Sequence, residues 1–344
     1  MCASGWLADD MKSIEVLSTE NEVRKQSARS PKVSVVLLNL NGYEDTRDCL
    51  ESLRHVQYTN IETIVVDNGS SDDSALRLQK EFPELRLLSS KENLGFAGGS
   101  NLGIEDALRR NTDYVLLLNN DTVVDPNFLP YLLEIGETDS RIGILGPKIL
   151  YADDPQRIWF AGGFVRLRSG AYGHFGLNNL DEDGKFSHVE ETGWITGCAL
   201  LVKTSAFREA GLLDSRLFAY SEDADFCMRV RRAGYKCIFV PRARVWHKIA
   251  RTSGIQSPFS VYLVTRNQLT WVARHVPFPY KLGALPFTLL KKMVRAALLA
   301  FDRPELALAV WAGIRAFLLQ KYGPPGEGRL PRRHLGSTAP NRND

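Results

Sequence analysis

The sequence predicts an α/β fold: a mostly parallel central sheet with a C-terminal helical appendage. Three observations lead there. Between residues 33 and 118, apolar runs of strand length alternate with amphipathic stretches of helix length. Polar clusters close the first, second and fourth of those runs. Beyond residue 257 the apolar period becomes helical and the charge balance reverses.

Residues 33–38 (VSVVLL) form an unbroken apolar run, as a strand buried on both faces requires. Residues 44–53 read as a helix. Residues 61–66 (IETIVV) are a second strand, ending in Asp67-Asn68-Gly69-Ser70-Ser71-Asp72. Residues 74–82 are a second helix, stopped by Pro83. A third strand over 85–88 and a third helix over 97–110 precede a fourth strand, 114–118 (YVLLL), which runs into Asn119-Asn120-Asp121. A βαβαβαβ series implies right-handed crossovers and a parallel sheet. Ligands of such sheets bind beyond the carboxyl ends of the strands, where the polar clusters fall.

After Pro126 the alternation loosens. Strands are expected over 143–150, 158–166 and 194–203, and short ones over 236–240 and 244–247. The stretch 169–191, rich in Gly, Asn and Asp, reads as a long loop or hairpin over one face. Helices are expected over 205–211 and 222–233, the latter ended by Gly234. Further on, Leu290, Met293, Val294, Ala297, Leu298 and Phe301 fall at helical spacing among Lys291, Lys292 and Arg295, and another helix covers 304–321. The layout is a polar extension (1–31), an α/β domain (32–256), a helical region (257–322) and a basic tail (323–344) expected to lack structure.

With 44% hydrophobic and 24% charged residues, the chain has the composition of a globular protein. Its net charge of +3 hides an asymmetry. Residues 1–240 hold 26 basic against 36 acidic residues, a net −10, whereas 241–344 hold 17 against 4, a net +13. The basic part calls for an anionic partner such as phosphate, nucleic acid or a membrane. Cys2, Cys49, Cys198, Cys227 and Cys237 are odd in number and widely spaced, which argues against a disulfide framework or a zinc ribbon. The first residues lack the basic start and apolar run of a leader. The longest charge-free apolar runs near the C-terminus, 282–290 and 306–314, are nine residues each, short of the roughly 20 that a spanning helix needs.

Each motif has two readings. Asn119-Asn120-Asp121 could offer a carboxylate to a divalent cation bridged by diphosphate oxygens, or be a simple turn. Asp67 could accept hydrogen bonds from a nucleotide base, or its cluster could only cap a helix. The Gly-rich stretch 92–103 opens a helix where backbone can approach a ribose or phosphates, yet it fits neither GxGxxG nor the Walker pattern. Glu222, Asp223 and Asp225 could supply a general base, or three carboxylates could merely favour a helix N-terminus. Trp194 and Gly197 could form a substrate shelf or part of a buried strand. His247 alone reads as a structural histidine.

The order of these motifs is more specific than any one of them. VSVVLLNLNG (33–42), VVDNGSSDDS (65–74), ENLGFAGGSNLG (92–103), YVLLLNNDT (114–122), TGCALLVKTSAFREAGLLD (196–214), FAYSEDADFCMRVRRAGY (218–235) and VWHKIARTS (245–253) follow one another. Together they resemble the inverting GT-A glycosyltransferases of family 2, and most of all the rhamnosyltransferase-like branch of bacterial cell-surface polysaccharide synthesis. The resemblance covers residues 33–275 and implies a Rossmann-like GT-A domain with a nucleotide-sugar donor at the sheet edge. It implies that Asp67 binds the base, walled by Leu38, Asn39 and Asn41, with Asn93, Gly95 and Asn101 near the ribose and diphosphate. Asn119-Asn120-Asp121 matches the family's DxD with Asn in first place, so Asp121 would be the carboxylate on Mg²⁺ or Mn²⁺, together with His247. Asp223 matches the base of the Glu-Asp motif, with Glu222 beside it and Asp225, Trp194 and Gly197 toward the acceptor or sugar pocket.

By the same resemblance the first donor expected is dTDP-L-rhamnose, then UDP-linked galactose, glucose or N-acetylhexosamine, and the acceptor a glycan or lipid-linked saccharide. The basic helices read as an interfacial anchor on the inner face of the cell membrane, as a subdomain packed on the core, or as both at once. Nucleic-acid binding is not expected, because no aromatic platform accompanies the basic tail 329–333. A nucleotidyltransferase would carry a basic Gly-rich signature near the first strand, which NLNGYED (39–45) lacks. A non-catalytic sugar-binding relative would not need Glu222, Asp223 and His247.

Overall fold

The computed structural model describes residues 30–182, 184–248 and 257–324. The expected polar extension and basic tail lie almost wholly outside the described residues.

Strand β1 (Val33–Asn39) is the middle of the parallel half of the sheet. It pairs in parallel with β2 (Ile61–Asn68) on one side and β4 (Tyr114–Asn119) on the other, and β3 (Arg86–Ser90) extends the sheet beyond β2. Val33, Val35, Val36 and Leu37 are at most 1% exposed, because helices cover both faces. Those crossovers are α1 (Tyr43–Arg54), α2 (Ser74–Glu81) and α3 (Gly95–Arg109). The expected βαβαβαβ series is present, with its boundaries moved by two residues or fewer.

Beyond β4 the sheet becomes mixed. β11 (Ala199–Lys203) lies antiparallel between β4 and β6 (Ile142–Tyr151). β12 (Lys236–His247) runs parallel to β6, and β10 (Glu190–Thr192) closes the edge. β10 was not foreseen, nor were two further elements. β5 (Thr122–Val124) is three residues long, too short to show a period, and it sets Thr122 opposite His247 on β12. α4 (Phe128–Gly136) buries Phe128, Leu129, Leu132 and Leu133 against the sheet. Its Pro130 is tolerated in the first turn, where no backbone N–H is needed, but with Pro126 it hides the helix in the sequence.

Three expected strands are redrawn. The run 158–166 breaks at Gly162 (φ +88°) into β7 (Ile158–Phe160), paired with β6, and β8 (Gly163–Arg166), paired in a hairpin with β9 (Ala171–His174). Of 194–203 only β11 joins the ladder; the residues before it bend away over the sheet edge. The two strands expected at 236–240 and 244–247 are one strand, β12, with a register shift between Val240 and Arg244 around Pro241.

Helices α5 (Thr204–Ala210) and α6 (Glu222–Arg232) complete the α/β domain. Gly211 (φ +75°) and Gly234 (φ +93°) end them in conformations that suit glycine. The helical region is α7 (Pro258–His275), α8 (Lys281–Asp302) and α9 (Pro304–Leu318). α7 is packed into the main core through Trp271, Val272 and Val276, and shares a second core with α8 and α9 around Leu263, Leu269, Ala296, Val310 and Ile314. The outer face of α8 is bare: Leu282, Phe287, Leu290, Val294, Leu298 and Phe301 are all at least half exposed, Phe301 by 91%. Cys49, Cys198, Cys227 and Cys237 are free, buried core residues.

Candidate active site

The carboxyl ends of β1 and β2 carry a closed polar network. Asn39 Nδ2 is within hydrogen-bond distance of Asp67 Oδ1 (3.0 Å), Ser70 Oγ (3.1 Å) and Ser74 Oγ (2.9 Å), and its Oδ1 accepts from Thr46 (3.0 Å). Asn120 donates to the same Thr46 hydroxyl at 2.9 Å. Asn41, in a left-handed conformation (φ +52°), accepts from the Ser71 N–H at 2.8 Å. This network fixes Asp67 at the sheet edge, 6% exposed. Leu38 is half-buried and packs beneath Gly99 of α3.

The Gly-rich loop is held from β2. Asn68 donates to Asn93 Oδ1 (3.3 Å) and Gly95 O (3.1 Å) and accepts from Leu94 N–H (3.0 Å). Gly95 has φ +74°, and a Cβ there would lie 2.4 Å from the Phe218 carbonyl. Only glycine permits that approach between the start of α3 and the segment leading into α6.

At the end of β4, Asp121 Oδ1 lies 3.0 Å from His247 Nε2. The β5–β12 pairing, which sets Thr122 against His247, creates this contact between residues 126 apart in sequence. Burial is the largest single influence and opposes the Asp121 charge, but the His247 hydrogen bond and charge, with the backbone and Asn119, together outweigh it and hold the carboxyl below its ordinary value. His247 Nδ1 is buried with no hydrogen-bond partner among the described residues. A carboxylate oxygen and an imidazole nitrogen this close can both reach one small cation, as Mg²⁺ or Mn²⁺. Among the described residues no group of three His, Cys, Asp or Glu side chains forms a full cage. The donor set therefore fits a cation completed by substrate phosphate oxygens and water, the usual arrangement for Mg²⁺.

Asp223 stands in the first turn of α6. Its Oδ2 accepts from Gly197 N–H at 2.9 Å and its Oδ1 from its neighbour Ala224 N–H at 2.7 Å. Burial raises its pKa, while these N–H groups oppose the rise. Glu222 is 5% exposed with Oε2 unpartnered among the described residues, and burial, then the Asp223 charge, drive its pKa well above the carboxylate range. Of the two carboxyls, Asp223 is the one equipped to stay ionised. The main-chain bond from Asn119 N–H to Cys198 O (2.9 Å) joins the β4 edge to the residue after Gly197. Burial and then the charges of Asp121, Cys49 and Asp223 raise the Cys198 thiol, so both carboxylates act on one side chain.

Three expected site residues are engaged elsewhere. Asn101 clasps the peptide of Leu213, donating to its carbonyl (2.9 Å) and accepting from its N–H (3.1 Å). Asp225 turns to α7, bound by His275 Nε2 (2.8 Å) and Arg229 Nε (2.9 Å). It lines a cleft of about 510 Å³ with Arg216, Arg232 and Arg274 that shares no other residue with the expected site. Trp194 is 5% exposed beneath the β8–β9 hairpin, donating to Gly173 O at 3.1 Å, and so is no open shelf.

The sequence reading missed the parts that hold the acidic helix. Phe218, Tyr220 and Ser221 all have left-handed backbones (φ +67°, +68° and +71°), each costing on the order of 1 kcal/mol or more. Buried Asn267 of α7 holds them: its Nδ2 is within hydrogen-bond distance of the carbonyls of Leu217 (3.0 Å), Ala219 (2.8 Å) and Tyr220 (2.7 Å). The Tyr172 hydroxyl meets Ser221 Oγ at 2.6 Å. The only hint in the sequence was polar residues inside an otherwise apolar helix.

A Rossmann-like sheet whose edge carries a carboxylate–histidine pair and a buried acidic helix start defines a GT-A type transferase of nucleotide-activated groups. Residues 34–209 match Glycosyl transferase family 2, and the chain belongs to that family, as a glycosyltransferase using a nucleotide-sugar donor. It is 28% identical over 242 residues to an N-acetylglucosaminyl-diphospho-decaprenol L-rhamnosyltransferase of Mycobacterium tuberculosis, covering 65% of this chain and 77% of that protein. It is 25% identical over 280 residues to the low-salt glycan biosynthesis hexosyltransferase Agl10 of Haloferax volcanii, covering 80% and 86%. The fold is similar to that of GalNAc-T7 solved with UDP, GalNAc and Mn²⁺, with a TM-score of 0.56 and 18% identity over 80% of this chain and 51% of that one.

Proposed function

We propose that this chain moves a sugar from its nucleotide-sugar donor to a glycan or lipid-linked saccharide by one in-line displacement with inversion, with Asp223 as the base. The observation that carries the reading is the Asp223 carboxylate, held by the Gly197 and Ala224 N–H groups beside the Asn119–Asp121 turn. The nucleotide lies along the ends of β1 and β2, its base toward Asp67 and its ribose and diphosphate toward Asn93, Gly95, Asn119 and Asn120. Asp121 and His247 hold Mg²⁺ or Mn²⁺, which when bound neutralises charge on the leaving diphosphate. Asp223 takes the proton of the acceptor hydroxyl as its oxygen attacks the anomeric carbon and the bond to the diphosphate oxygen breaks. Glu222 holds a proton and so leaves the Asp223 charge unopposed by a second anion.

The M. tuberculosis relative supports L-rhamnose from dTDP-L-rhamnose as the first donor to test, with a UDP-hexose or UDP-N-acetylhexosamine as the alternative. The same relative's lipid-diphosphate substrate, together with the bare apolar face of α8 and its neighbours Lys281, Lys291 and Arg295, supports peripheral attachment to an anionic membrane. No helix among the described residues is long and apolar enough to cross one. The test is nucleotide release by the purified protein across a panel of dTDP- and UDP-sugars with Mg²⁺ or Mn²⁺. Slow hydrolysis of one donor identifies the sugar, and release from none of them contradicts the reading.

A further inference from the structure

We propose that His174 is a sugar-recognition residue, its Nε2 accepting a hydrogen bond from a hydroxyl of a pyranose held between the Asp121–His247 pair and Asp223. The inference rests on the glycosyl-transfer reading above and assigns a residue that the family motifs do not include.

His174 ends β9, on the hairpin that covers the sheet edge. Its ring sits in an aromatic box, with centroids 4.8 Å from Trp159, 5.0 Å from Phe160 and 5.3 Å from Trp194. Its Nδ1 lies 3.1 Å from the Trp159 carbonyl. A carbonyl only accepts, so Nδ1 carries the proton and Nε2 carries the lone pair. Nε2 has no protein partner among the described residues, and it is not among their buried, unpartnered atoms, so solvent reaches it. The aromatic box lowers the pKa by burial, which keeps the ring neutral and Nε2 an acceptor near pH 7.

The box lies between the two poles of the site. The Trp159 ring that packs on His174 also packs on His247, again at 4.8 Å between centroids. The Trp194 ring on its other side belongs to the bend that carries Gly197, whose N–H holds Asp223. Phe160 and Trp194 are buried walls that hold the imidazole, and half-buried Trp159 beside a neutral acceptor suits a sugar, which presents C–H groups and hydroxyl donors together. The hydroxyl belongs either to the donor sugar or to the acceptor sugar, and kinetics separate the two.

The experiment compares wild type with His174→Gln, which keeps an acceptor, and His174→Phe, which keeps only the ring. His174→Phe is expected to lose about 3- to 10-fold in kcat/KM, the effect of one neutral hydrogen bond, and His174→Gln to stay within about twofold of wild type. Loss in donor hydrolysis without acceptor assigns the hydroxyl to the donor, and loss confined to the acceptor KM assigns it to the acceptor. Binding of the nucleoside diphosphate alone should be equal in all three proteins. His174→Phe with wild-type kinetics, His174→Gln as poor as His174→Phe, or a parallel loss of nucleotide binding overturns the proposal. A wild type that releases nucleotide from no donor overturns glycosyl transfer itself, and His174 with it.

Discussion

Glu222 and Asp223 are adjacent carboxyls at one buried helix start, yet they carry different hydrogen bonds. Asp223 accepts two backbone N–H groups, whereas Glu222 keeps one buried oxygen without a partner. Burial disfavours both anions, and the second charge is costlier than the first, so the proton resides on Glu222. Glu222→Gln is therefore expected to keep kcat within a few-fold, with the acid limb of its pH–rate profile unmoved. A loss of about 10²-fold or more, the range for removing a general base, would transfer that role to Glu222. At the other pole, chelation by EDTA should abolish transfer and Mn²⁺ or Mg²⁺ should restore it; unchanged turnover in chelator would remove the cation from Asp121 and His247. Asp67 and Asp121 were legible as candidates because they stand at the carboxyl ends of β2 and β4, and Asp223 because it starts a helix. Local pattern alone did not separate Asp223 from Asp225, since both stand in one first turn; only the family resemblance did. Two residues apart on a helix they point about 200° apart, and only the packing of α7 decides which faces the edge.

At the scale of elements, α6 is clamped to α7 by Asp225, His275, Arg229 and Arg274. Burial alone would raise the Asp225 pKa, but the His275 hydrogen bond and the Arg229 charge lower it from 3.8 to about 2. A depressed carboxylate stabilises the fold above its unfolded pKa, and the contribution is lost as pH falls from about 4 toward 2. Asp225→Asn should cost about 2 kcal/mol at pH 7, and its deficit against wild type should shrink in melts near pH 2. An equal deficit at both pH values would contradict the linkage. Asn267 acts on the segment before α6. Asn267→Ala releases three carbonyls of a left-handed run, so kcat should fall at least tenfold while nucleotide binding holds. Loss of both together would make Asn267 merely structural. The parallel half of the sheet was legible because β1, β2 and β4 are apolar runs closed by polar clusters, with helical stretches between them. β5 depends on its pairing with β12 more than 120 residues on, which no local period reports, and Trp159 and His174 stand on β7 and on the β8–β9 hairpin, split by the break at Gly162.

For the whole molecule, the charge asymmetry resolves into two faces. The acidic part holds the carboxylates of the site. The basic part holds α7, packed into the core, and α8, whose outer face is apolar with Lys291 and Arg295 close by. Packing on the core is seen on the inner side of this helical layer, and the bare outer face of α8 leaves room for the proposed membrane docking beside it. The protein should co-float with anionic vesicles at low salt, and Leu298→Glu with Phe301→Glu should abolish co-flotation without altering hydrolysis of a soluble donor. Equal flotation of the double variant, or none by wild type, would contradict a membrane face on α8. Dimerisation of wild type through this face, seen by sedimentation, would assign it to a second copy instead.

The central claim is that Asp223 deprotonates the acceptor while the rest of the site holds the donor. Its most direct test is Asp223→Asn, assayed for transfer and for donor binding in the same preparation with the donor that wild type consumes. Transfer should fall by about 10²- to 10⁴-fold with donor affinity unchanged. Full turnover by Asp223→Asn would contradict the account.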